Sequence, residues 1–87
     1  MLRIKFTEHA VERAKQRGAS IDEVEEVILR GRSVEAKKGR KAKEMVFDYG
    51  KEWLGRDYPQ KKIQVIYIEE EDWIIIITVK VFYGHWR

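Results

Sequence analysis

Cysteine is absent from the 87 residues. That excludes disulfides and thiolate metal sites as sources of stability or chemistry. Histidine is nearly absent: His9 and His85 stand at opposite ends of the chain, a spacing that makes no recognisable metal-ligand pattern. Long apolar runs are missing too. The longest, Trp73 to Val79 with Thr78 inside it, is too short to cross a bilayer as a helix. Arg3 and Lys5 lead into a polar segment, unlike a secretory leader, so the expected setting is the cytoplasm with no membrane partner. Glycine-rich nucleotide-binding motifs, internal repeats and low-complexity tracts do not occur. Neither does an activated serine nucleophile, since Ser20 and Thr7 are better used as helix caps. No cofactor is implied.

What remains is a highly charged chain: 38% of residues are Asp, Glu, Lys or Arg, with a formal net charge of +3. The length suits one small domain, 1–87, with a modest core. Its charge is unevenly spread. Between residues 30 and 43 lie Arg30, Arg32, Lys37, Lys38, Arg40, Lys41 and Lys43 against Glu35 alone, while Glu69, Glu70, Glu71 and Asp72 cluster elsewhere. A basic edge of that kind meets a polyanion or an acidic protein segment, or it is simply a solvated hairpin tip.

Hydrophobic periodicity predicts a short strand over 2–6, then a helix from Glu8 to Arg17 capped by Thr7 and stopped by Gly18. Ser20-Ile-Asp-Glu23 is a capping box that opens a second helix ending at Gly31. Ala10, Val11, Ala14 and Ile21 supply a narrow apolar face, and Val24, Val27 and Ile28 a second stripe. Strands are expected over 33–38 and 43–49, around a Gly39-Arg40-Lys41 loop. Residues 51–60 read as a long loop broken by Gly55 and Pro59. A second hairpin follows, 62–69 and 73–83. Strict alternation puts Ile75, Ile77, Val79 and Val81 toward the helices and Ile74, Ile76, Thr78, Lys80 and Phe82 on the other face. The fold class is α+β: a short N-terminal strand and a helical hairpin packed on a mainly antiparallel sheet of about four strands.

His9, Arg13 and Arg17 recur every fourth residue and share one helical stripe. A cationic stripe carrying an imidazole suits phosphate chemistry at neutral pH. Metal-independent RNA cleavage needs a base for the 2′-hydroxyl, an acid for the leaving oxygen and cations for the charge on phosphorus. His9 fits either proton transfer, and Arg13 and Arg17 fit phosphate. Lys80, Tyr83 and His85 are further candidates. A structural reading competes: His9 holding the helix to the sheet, the arginines pairing with Glu8, Glu12, Asp22 or Asp48. For RNA binding the candidates are Lys37, Lys38, Arg40, Lys41, Lys43 and, in the long loop, Trp53. Tyr58 in the same loop, Trp73 and Trp86 also offer stacking surfaces, although aromatics in so small a domain are more often core or rim residues, less so in the loop.

The pattern His9-Ala-x-x-Arg13-x-x-x-Arg17-Gly18, with Ser20-Ile-x-Glu-x-Val and a late Ile-Thr-Val strand, resembles the domain-of-unknown-function family 4258. The arrangement is similar to the RelE/ParE-type toxin superfamily. The resemblance covers nearly the whole chain and is most specific over 7–27. It implies a compact α+β fold and a toxin-type endoribonuclease that cleaves RNA by 2′-hydroxyl attack. RNA, free or on the ribosome, and an antitoxin protein would be the partners of a monomer or weak dimer. The family's last strand tends to read Thr-Val-Tyr; here the third position is Lys80, with Tyr83 the nearest replacement. The alternative is a non-catalytic RNA- or protein-binding module of the same fold.

Overall fold

The structure, a computed structural model, describes residues 3–86. Its elements run β1 (Arg3–Phe6), α1 (Glu8–Arg17), α2 (Ile21–Arg30), β2 (Arg32–Val34), β3 (Lys41–Trp53), β4 (Arg56–Glu70) and β5 (Trp73–Gly84). The expected strand residue Leu2 lies outside the described residues. Both helices pack on one face of a five-stranded sheet ordered β1-β5-β4-β3-β2, leaving the other face open. The fold is α+β as expected, but the sheet has one strand more than expected and is mixed. β1 pairs parallel to β5, with Ile4 opposite Ile74 and Phe6 opposite Ile76, and the other pairs are antiparallel. No hairpin ties β1 to its neighbour, so nothing local imposes an antiparallel pairing. No helix among the described residues is long and apolar enough to cross a membrane.

The helix ends are built as the sequence suggests. Thr7 Oγ1 accepts from the Ala10 N–H at 3.0 Å and donates to the Ile77 carbonyl, so one cap starts α1 and pins it to β5. Ser20 and Glu23 form both halves of the capping box on α2. Gly18 closes α1 at φ 83°, and a Cβ there would meet Tyr83 Oη and the Trp53 ring. Position 18 therefore needs glycine for both its backbone and its space. Ala10, Ala14, Val24, Val27 and Ile28 are buried, whereas Ile21 departs from the expected face and is exposed.

The facing of β5 differs from strict alternation. Ile66 pairs with Thr78 and Tyr67 with Ile76, which leaves Ile77 as an extra residue, a β-bulge. Before it Ile74 and Ile76 are buried; after it Val79 is buried and Val81 packs against the core. The expected helix-facing set thus holds for Val79 and Val81 and fails for Ile75 and Ile77, because the bulge inverts the parity. Residues 51–60 are not a loop either. β3 and β4 continue to a two-residue turn at Leu54-Gly55, both at positive φ, 51° and 85°. That backbone matches the twist of a hairpin. Pro59 falls opposite the irregular stretch between Asp48 and Lys51, where its missing N–H breaks no ladder. The first hairpin is likewise shifted: β2 is only three residues long and residues 35–40 bridge to β3.

Candidate nucleic-acid interface

The stripe on α1 is a track rather than a point. His9 to Arg17 spans eight residues, roughly 12 Å along a helix. His9 is exposed in the first turn. Arg13 Nη1 donates to Gln16 Oε1 at 2.8 Å, and Gln16 in turn donates to Glu12. Arg17 Nη1 donates to the Val79 carbonyl at 2.7 Å, clasping α1 to β5.

Tyr83 closes the far end of that contact. Its hydroxyl donates to the Arg17 carbonyl at 2.7 Å. Its ring stacks on Trp53 with centroids 4.7 Å apart and meets Tyr49 and Tyr58 at 5.2 and 5.7 Å. Burial, with help from Tyr49 and the Glu23 charge, pushes its phenol up to about 12. Tyr83 and Trp53 are thus engaged in internal packing around Gly18. Lys61, absent from the expected site residues, joins them from below: its ammonium donates to the Gly18 carbonyl at 2.8 Å and to Glu23 Oε1 at 2.9 Å. A lysine two residues before an alternating apolar strand gives no sign in sequence of pointing inward.

The basic segment divides between β3 and the connection that precedes it. Lys43, opposite Val65 on the helix side, donates to the Ile28 carbonyl at 2.8 Å, and Lys41 forms a 2.7 Å ion pair with Glu69. Lys37, Lys38 and Arg40 instead line a cavity of about 270 Å³ over the open face, together with Glu35, Gln64 and Lys80. On its other side Lys80 shares a second cleft, about 230 Å³, with Arg17, Val81 and Phe82. Arg17 and Lys80 are therefore brought together. His85 is exposed beyond β5, and Trp86 folds back: its N–H donates to Gln60 Oε1 at 2.7 Å, and its ring centroid lies 5.2 Å from the Lys62 ammonium.

A polar row crosses the open face strand by strand, with Arg32 opposite Glu44, Glu44 opposite Gln64 and Gln64 opposite Lys80. Glu44 is 7% exposed. Arg32 donates to its Oε2 through Nε at 3.2 Å and Nη2 at 2.8 Å, and Gln64 donates to Oε1 at 3.3 Å. Burial opposes ionisation of this carboxyl, but the Arg32 and Gln64 hydrogen bonds and the Lys62 charge outweigh it and hold its pKa below the usual range. Glu44 was not among the residues expected from sequence; only the cross-strand register reveals it. Among the described residues no group of three or more His, Cys, Asp or Glu is placed to hold a metal ion.

The profile of a family described as a domain of unknown function, DUF4258, matches residues 6–81. No curated protein and no solved structure matches the chain.

Proposed function

The chain belongs to the DUF4258 family, and on that premise we propose that it binds single-stranded RNA on the open face of its sheet. The observation that carries this reading is the position of Lys80, shared between one cleft with Arg17 and another with Lys37, Lys38 and Arg40. Cations in sequence on both sides of one lysine make a path for successive phosphates. Trp73, Phe82 and Trp86, each more than a third exposed, offer faces on which bases stack.

Affinity for a labelled oligoribonucleotide should fall steeply with salt, by a slope of roughly −0.7 per phosphate neutralised. Replacing Lys37, Lys38, Arg40 and Lys80 together by alanine should flatten that slope by roughly 3. Fluorescence anisotropy from low to high salt reads both. A wild-type chain that fails to bind at low salt, or a quadruple variant with an unchanged slope, would remove the reading.

The cleft shared by Arg17 and Lys80 favours a second reading, cleavage in the manner of a toxin endoribonuclease. The similarity of the whole arrangement to RelE/ParE-type toxins, and an antitoxin partner, belong with it. The 2′-oxygen would attack phosphorus as its proton passes to a base, and the 5′-oxygen would leave with a proton, while Arg17 and Lys80 hold the charge. His9, roughly 12 Å along the same stripe from Arg17, is the group on α1 suited to proton transfer, and it serves a scissile phosphate held between the two, beside Arg13. In a cleavage assay with EDTA present, His9→Ala should lose about 10²–10⁴-fold in rate. Equal rates for wild type and variant would clear His9, and intact RNA throughout would leave binding alone.

A further inference from the structure

The polar row ends beside a cavity that the phosphate path does not use. It measures about 490 Å³ and is lined by Arg32, Glu44, Val46, Lys62 and Trp86. We propose that it is a pocket for one unstacked base of the bound strand, and that the base is guanine; this rests on the RNA-binding reading above.

Three features point there. Trp86 is anchored by its own backbone to Gln60 and still 37% exposed, so an aromatic face is held ready at no ordering cost. Glu44 puts a carboxylate into the lining although a sheet face has no packing need for one. Its Oε2 is taken up by two Arg32 donors, but among the described residues Oε1 receives only the long 3.3 Å bond from Gln64. A carboxylate oxygen has two acceptor sites, so Oε1 retains capacity. Arg32 and Lys62 stand beside it as donors.

An acceptor flanked by cationic donors selects among bases by their edges. Guanine presents a carbonyl oxygen, then two adjacent N–H donors: the oxygen suits Lys62 or Arg32, and the two donors converge on the one acceptor site left at Glu44 Oε1. Uracil follows its single N–H with a carbonyl that the carboxylate repels. Adenine and cytosine present a ring nitrogen acceptor where a donor is needed. The pocket also lies at the right distance from the phosphates. Gln64 separates Glu44 from Lys80 by two strand spacings, roughly 10 Å, which a single nucleotide bridges from base edge to backbone.

The test measures binding of oligouridylate carrying one central guanine, inosine, adenine or cytosine, and of guanosine monophosphate alone. Guanine should bind about tenfold to a hundredfold tighter than adenine or cytosine. Inosine, which lacks only the exocyclic amine, should lose much of that gain. Glu44→Gln should bring the ratio of guanine-oligomer to plain oligouridylate affinity, measured within that variant, to about one, and Trp86→Ala should weaken the guanine oligomer most. Equal binding of guanine and inosine, or a preference that survives Glu44→Gln, overturns the pocket while leaving RNA binding standing. Should Glu44→Gln not fold, the inosine comparison on the wild-type chain decides. Binding of the free nucleotide without any oligomer supports the pocket and overturns the RNA path; binding of neither overturns both.

Discussion

Ile76→Ala should cost about 2–5 kcal/mol of unfolding free energy, and Ile77→Ala clearly less. Ile76 is fully buried against the helices, in the cluster that includes Ala14, Val24 and Val65, so truncation leaves a cavity that close-packed neighbours cannot refill. Ile77 is the extra residue of the bulge, half-buried and outside that cluster. Its truncation removes part of a side chain that already meets solvent. Denaturant unfolding of both variants, with equal m-values as the control, measures the difference. Equal losses, or a larger one at Ile77, would mean that β5 keeps strict alternation and that the bulge is misplaced. The comparison also bears on function. The same bulge is what sends Val79 inward, Lys80 outward and the Val79 carbonyl to Arg17.

That bulge marks the boundary of what the sequence discloses. Both helices were legible to the residue because their signals are local: a threonine cap, a glycine at positive φ, a capping box completed three residues on. Ile77 carries no such signal, since the seven consecutive apolar or β-branched residues from Trp73 to Val79 read equally well in either parity. The hairpin at Leu54-Gly55 was obscured for a related reason. Leucine at positive φ is uncommon, and Pro59 reads as a breaker until its place opposite a register shift is known. At the candidate site, the basic cluster was visible as composition but not its division. Lys41 and Lys43 turn away to Glu69 and the Ile28 carbonyl while Arg40 stays with Lys80, and that outcome depends on register. Glu44 and Lys61, paired across 20 and 38 residues, were invisible because their partners are distant in sequence.

Lys61→Met should cost about 3 kcal/mol, the low end of the range for removing one partner of a buried pair, because Glu23 keeps some contact with water. The lysine is 6% exposed, its ammonium shared between the Gly18 carbonyl and Glu23, with the Tyr49 ring centroid 5.3 Å away. Methionine fills the volume but leaves that carbonyl without this donor and the carboxylate without its cation. Changing Glu23 to Gln in the same chain removes the unpaired charge and should recover part of the loss, so a double-mutant cycle isolates the pair. The pH dependence supplies a second reading of the same contact. Burial opposes ionisation of Glu23, yet the Ser20 N–H and Lys61 outweigh it and lower its pKa. A depressed carboxyl contributes stability that is fully present above its unfolded pKa and is lost as pH falls through the folded value. Wild-type stability should therefore decline below the ordinary carboxylate range. Lys61→Met should decline less steeply there, retaining the share that comes from Glu44, which is lowered in the same direction. Parallel acid limbs for the two chains, or a loss under about 1 kcal/mol at neutral pH, would mean that Lys61 does not bind the helical turn to the sheet and that Gly18, Tyr83 and Trp53 hold that corner without it.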